Sequence, residues 1–534
     1  MARHGRRGRG RGTVHRQQRS KALGERVRRV GPEHFGVLAV DSAKSRFAVL
    51  LSDFYGRVLM DMLEVDNTGP ALEGLVATVK SQCEAHGLKD LVVAIEQTGR
   101  YHVPIRQVLR GHWDVQMVHP FATKQLRQPA DPGNKTDPTD LQAIVRAIIV
   151  GYGTAEPELS PRWADWRLVS REREALVRRR AWVRVRLQMR LDALMPGYPA
   201  LFGCLWSSPV PLALARRYGS AAALLSAGEE AILDCGRQAG SHVQRRTVAR
   251  VLAWAAEAAP ADPGAGTSHR LLGDQIELLS LLEAQIGRYE RDLADYLVDT
   301  PFVLLLGIPG INIVSAASYG AELGPIEHYL HPTKITGRAG IYPSRYQSNE
   351  TDLADGPLVG QRNARLRDAI FEVAHNLIYH NAYFKAWAEL RHKRKWAKQK
   401  VHVAVACKFV RISYWMLAGR MAFQHPCVRG RDAILRKLLR FAKEKALAAH
   451  DARSLLLRAV RQLPGATHPE EARALMEELP RGTRRRRRGG VASIGEVLPE
   501  VIAELTHSLS TEPERSQAAP LHPAEDPSLS ALER

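Results

Sequence analysis

The sequence predicts an α/β domain on a mixed sheet, then a long helical, coiled-coil-like middle, then a mostly helical C-terminal half. Three observations carry this. Apolar runs of strand length recur between residues 35 and 118 and alternate there with helical patterns. Two stretches, 165–195 and 270–297, repeat apolar residues at threes and fours over several turns. Beyond residue 300 the pattern stays helical to about Leu447.

The 534 residues exceed what one hydrophobic core holds, so about two to four domains are expected. The net charge is +21, and residues 1–30 alone hold ten Arg, one Lys and one Glu. Residues 1–32 therefore read as a basic, disordered arm, and Arg481 with Arg484–Arg488 forms a second basic run. Such tails suit phosphate backbones, although a solubilising tail has the same composition. Five scattered cysteines without a CxxC argue against a zinc site or a disulfide framework and for a reducing compartment. No uninterrupted apolar run approaches membrane-spanning length, so no membrane partner is expected.

The elements follow in order. Phe35–Asp41, Arg46–Asp53 and Val58–Val65 are strands joined by short turns, hence an antiparallel meander. A helix from Pro70 to about Ala85 buries Leu72, Leu75, Val76 and Val79, and Gly87 stops it. Leu91–Ile95 is a fourth strand, Val103–Leu109 a short helix and Val115–Val118 a fifth strand, with another helix near Phe121. Asp137 opens the next helix as N-cap, with Pro138 at N1 and Asp140 at N3.

Carboxylates mark the ends of these elements. Asp41 closes the first strand and Glu96 the fourth, and the two face each other if those strands are neighbours. Asp137 and Asp140, three apart, share a helix face. Capping alone accounts for that pair, but capping and metal binding are compatible. Four carboxylates suit hard divalent ions, and two such ions are a common arrangement for phosphoryl displacement.

The strings LAVDSAKSRFAV, AIEQTGRYH and NKTDPTD, in this order, resemble the metal-site motifs of a bacterial insertion-sequence transposase family, the bridge-RNA-guided recombinases. The resemblance implies an RNase H-like, RuvC-like DEDD domain over 33–155. It implies Asp41, Glu96, Asp137 and Asp140 as ligands of Mg²⁺, with Mn²⁺ as the substitute. The family also has an Arg-rich helix like 165–195, which points to RNA contact there, although a basic helix is also simply a solvated face. The apolar seam of 270–297 suits a core helix or a dimer contact equally.

In the C-terminal half, LLLGIPGI (Leu304–Ile311) looks like the hairpin of a helix-hairpin-helix, whose amides can meet a DNA phosphate. GRAGIYPSRYQSNETD (Gly337–Asp352) and NARLRDAIFEVAHN (Asn363–Asn376) resemble the same family's transposase domain. Its nucleophilic serine falls on Ser348, with Ser344 the near rival. Arg338 and Arg345 are candidate phosphate partners. Asn349 stands where family members commonly have Gly. The implied organisation is a helical region over 156–300, a transposase domain over 301–447 and a mostly disordered tail over 448–534, with one helix at Ile494–Thr506.

The resemblance implies a transposase, or site-specific recombinase, that cuts and rejoins DNA. Its implied partners are element ends and target DNA, a non-coding guide RNA, and further copies of itself as a dimer or tetramer. It would act in the bacterial cytoplasm, associated with the nucleoid. The alternatives are a non-catalytic or repurposed nucleic-acid-binding protein on the same scaffold, and a RuvC-like junction nuclease that needs only the four carboxylates.

Overall fold

The computed structural model describes residues 13–463, apart from 98, 128–134, 155–158, 262–263, 349–350, 354–355, 361, 422 and 424–432. The basic run at 481–488 and the helix expected at Ile494–Thr506 lie outside the described residues. The chain divides into two compact units, 1–158 and 159–534.

The first unit is the expected mixed sheet. Its strands are β1 (Phe35–Ser42), β2 (Arg46–Asp53), β3 (Val58–Asp66), β4 (Asp90–Glu96) and β5 (Asp114–Val118), in the order β3-β2-β1-β4-β5. β1 to β3 form the antiparallel meander, and β4 and β5 add in parallel. The central strands read as unbroken apolar runs because both sheet faces are covered. Leu38, Val40, Val93 and Ile95 pack on one side with Leu72, Leu75 and Val79; Val37, Ala39 and Val92 pack on the other with Leu141, Ile144 and Ile148.

One expectation fails here. Thr13–Val30 forms a helix, α1, where a disordered arm was expected. Leu23 and Val27 are buried in the core that contains Phe35 and Val92. Arg26 bonds both oxygens of Asp90 at 2.6 and 3.0 Å and Asp114 at 2.6 Å. These acids open β4 and β5, so α1 docks at the sheet edge opposite Asp41 and Glu96. The remaining helices of this unit are α2 (Gly69–Ala85), α3 (Val103–Leu109), α4 (Pro120–Arg127) and α5 (Asp137–Ile149).

The second unit begins with α6 (Pro161–Leu194). Then come α7 (Val210–Tyr218), α8 (Ala221–Gln238), α9 (Arg245–Glu257) and α10 (Ala265–Val298). α6 and α10 pack along each other. The seam of α10 is consumed within the chain: Leu272, Ile276, Leu279, Leu282 and Ile286 share a core with Leu176, Val183, Leu187 and Leu191. Many arginines of α6 are likewise engaged. Arg171 holds the buried Glu322 at 2.6 and 2.9 Å, Arg173 and Lys445 hold Glu290, and Arg184 holds Glu283. Burial alone would raise the Glu290 carboxyl, and Lys445 and Arg173 reverse it to below the usual range.

The rest comprises α11 (Ile313–Leu323), α12 (Pro332–Ala339), the hairpin β6 (Tyr346–Ser348) and β7 (Thr351–Leu353), α13 (Ala364–His380), α14 (Ala382–Lys393), α15 (Lys398–Ala418), α16 (Ala433–Glu444) and α17 (Ala449–Val460). α17 lies at the start of the tail expected to be mostly disordered; Leu455, Leu456, Ala459 and Val460 bury it in the core. By length and composition α15 could cross a membrane. Half of its apolar window is buried within the fold, where Val401, Val405, Phe409 and Val410 join the core. The four cysteines among the described residues are free thiols.

Candidate active site

β1 and β4 are parallel neighbours, with Val40 opposite Ile95. Asp41 and Glu96 follow these two residues and stand at the C-terminal ends of the two neighbouring strands. α5 packs across β1, β2 and β4 and brings its first turn to the same edge. Its cap differs from expectation. Thr136, with extended backbone, is the N-cap, and the Thr139 hydroxyl accepts from the Thr136 amide at 3.1 Å. Asp137 and Asp140 therefore stand one residue further into the helix than expected. The threonines do the capping and leave both carboxylates for other work.

Three of the acids act on the fourth, Asp41. Burial pushes the Asp41 carboxyl above its ordinary range, and the charges of Glu96, Asp140 and Asp137 push the same way, against a bond from the Ser42 amide. Neighbouring carboxylates repel, and a divalent cation relieves that repulsion. The donor set is all oxygen, which suits a hard cation. Among the described residues, no three acids, histidines or cysteines stand close enough to form a metal cage. Arg127, at the end of α4, pairs with the buried Asp140. The acids fit a divalent ion in chemistry, with Asp140 held by an internal cation.

The second group lies around Ser348. The chain between Gly340 and Val359 leaves the core and returns as a narrow stalk. Val359 donates to Tyr342 at 3.2 Å, Ser344 to Pro357 at 2.9 Å and Gly356 to Ser344 at 3.1 Å. Beyond it stands the β6–β7 hairpin, where Ser348 pairs with Thr351 and is exposed. Ser344 sits lower, inside the ladder, and a side chain at Gly356 would meet its hydroxyl at 2.4 Å. Asn349 lies outside the described residues.

Arg367 clamps the base of this stalk. Its Nε donates to the Ala339 carbonyl at 2.9 Å, and its Nη2 reaches the Gly340 and Val359 carbonyls. One guanidinium thus ties the strand entering the stalk to the strand leaving it. Sequence alone gives Arg367 no role within NARLRDAIF; its place on the helix face that carries Leu366, Ile370 and Ala374 is the one signal of it. Asn363 caps α13 by accepting from Leu366 at 3.0 Å. Arg338, expected as a phosphate partner, is engaged instead with the Leu323 carbonyl and the Tyr329 hydroxyl. The GIPG segment follows a 3-10 stretch, Pro301–Gly307, rather than a regular helix, and leads into α11.

Comparison with protein-family models gives two matches. Residues 38–196 match a DEDD transposase domain of the IS110 type, and residues 303–389 match the transposase domain of the IS116/IS110/IS902 family. No curated protein matches the chain. The first match covers the sheet and all four acids; the second covers the GIPG turn and the Ser348 hairpin. A DEDD domain implies a divalent metal, and transposition implies DNA binding. The chain belongs to the IS110 family of transposases, enzymes of DNA transposition, with a DEDD domain at its N-terminal end and the family's second transposase domain beyond it.

Proposed function

We propose that this transposase breaks and rejoins DNA through a composite site, with Ser348 as nucleophile and Asp41, Glu96, Asp137 and Asp140 as ligands of Mg²⁺. The observation that carries the reading is electrostatic: the charges of Glu96, Asp140 and Asp137 all act on the half-buried Asp41 carboxyl and raise it. Supporting it, Ser348 is exposed at the end of a clamped stalk. Bound there, the metal would polarise the phosphate and stabilise charge developing on its oxygens.

The chain's own part is nucleophilic. The Ser348 oxygen forms a bond to phosphorus as its proton is lost, the phosphodiester P–O bond breaks, and the leaving DNA oxygen takes up a proton to give a strand with a free hydroxyl. The phosphoserine ester conserves the bond, so the reverse attack by a DNA hydroxyl rejoins strands without ATP. The family's pattern implies that acids and serine come from different protomers. The same reading includes a structured guide RNA and a cytoplasmic, nucleoid-associated enzyme. Exposed Lys393, Arg394, Lys395, Lys398 and Lys400, with Lys400 over the Trp396 ring at 5.3 Å, offer such an RNA charge and a stacking surface.

The test is cleavage of duplex element ends with Mg²⁺. Asp41→Asn and Ser348→Ala should each abolish cleavage, while Ser344→Ala should have a smaller effect. A Ser348→Ala protein that still cuts and leaves free ends would make the protein a plain nuclease.

A further inference from the structure

The GIPG turn between Gly307 and α11 is held from beneath. Lys437, on α16, buries its ammonium there and donates to the carbonyls of Leu306 at 2.6 Å, Ile308 at 2.9 Å and Ile311 at 2.7 Å. Asn381, only 1% exposed, donates its Nδ2 to the Pro309 carbonyl at 3.0 Å. Four carbonyls of one short turn are thereby drawn inward.

This fixes the other side of the turn. In a trans peptide the C=O and N–H point in opposite directions. With the Pro309 carbonyl drawn in, the Gly310 amide is turned outward. Gly310 has φ +95°, and a Cβ there would meet the Asn376 carbonyl at 3.1 Å, so a side chain is excluded. Asn312 then caps α11, and the first amides of that helix have no intrahelical acceptor.

An ammonium has three hydrogens and no acceptor capacity, and here it meets three carbonyls. Such a ring of carbonyls is also what replaces the hydration shell of a potassium ion. Burial, with repulsion from Arg440, pushes the Lys437 ammonium down to about 8, as suits a cation with carbonyl partners in place of a carboxylate.

We propose that Lys437 is a built-in monovalent cation that positions the GIPG turn for contact with a DNA phosphate, and that shortening its side chain turns the place into a potassium site. The DNA half of this rests on reading the turn as a phosphate contact; the cation half does not.

The test uses the full chain and its Lys437→Ala and Lys437→Met variants, in KCl and in choline chloride at equal ionic strength. Thermal unfolding and affinity for a fluorescent DNA duplex are both read. The wild type should behave alike in the two salts. Lys437→Ala should unfold earlier and bind about tenfold more weakly in choline, the scale of one charge-assisted hydrogen bond, and recover in KCl. Lys437→Met, uncharged and too long to leave room for an ion, should stay impaired in both.

A Lys437→Ala protein with no preference for KCl in either readout overturns the cation cage. Potassium-dependent stability with unchanged DNA affinity in all variants keeps the cage and overturns the DNA half. Should Lys437→Ala not fold in either salt, Lys437→Gln, which keeps two donor hydrogens, takes its place. Better DNA binding by Lys437→Gln than by Lys437→Met then supports the proposal, and equal loss overturns it.

Discussion

Asp41 bears the electrostatic cost of the acidic site. Its folded value is raised, so the proton it gains stabilises the fold at low pH, and that stabilisation is lost as pH rises through the raised value. At neutral pH and without metal, the Asp41 charge therefore works against the fold. Asp41→Asn should raise the melting temperature of the metal-free protein by roughly 2–4 °C, the scale of ~1 kcal/mol in a domain of this size. Mg²⁺ should stabilise the wild type more than the variant. A fall in melting temperature on Asp41→Asn, measured by calorimetry in EDTA, would contradict the repulsion. Arg26 makes the opposite case. It pairs with Asp90 and Asp114 at the far end of the strands, and Arg26→Ala should cost about 1.5–3 kcal/mol by urea unfolding, as for hydrogen bonds between charged groups.

At the scale of the element, the sheet was legible because each strand is a buried apolar run with a polar turn after it. The order of strands and helices then put Asp41 and Glu96 at one edge. The helix α1 was not legible. Its apolar side is Leu23, Val27 and Val30 in an arginine-rich stretch, and the partners of Arg26 lie more than sixty residues away. The α5 cap falls one residue earlier than expected because Asp and Thr are both good caps; the extended backbone at Thr136 decides it. The Ser348 stalk was legible only as a loop. Its clamp bonds backbone carbonyls, which no side-chain pattern reveals. Arg367→Gln keeps a donor but loses the fork. It should speed hydrogen exchange of the Tyr342–Val359 amides and lower recombination about tenfold or more, with Mg²⁺ binding unchanged. Unchanged exchange in that segment would show that Arg367 does not hold the stalk.

For the whole molecule, charge and chemistry are separately testable. Because α1 is part of the fold, its arginines are not all available to a partner; Arg26 is committed. Deleting residues 1–12 and 481–488 should weaken DNA binding and flatten its salt dependence by about 0.9 in log–log slope for each phosphate no longer neutralised. Deleting 1–30 should also unfold the first unit more readily, because α1 goes with it. The proposed chemistry, which runs through a covalent bond between protein and DNA, is tested apart from both deletions. Its most direct test is to stop a reaction with Mg²⁺ and element ends midway, digest the protein and map the nucleotide-bearing peptide by mass spectrometry. The account predicts a phosphoester on Ser348, absent from Ser348→Ala and from Asp41→Asn. DNA cleaved with no protein attached, or an ester on Ser344, would contradict it.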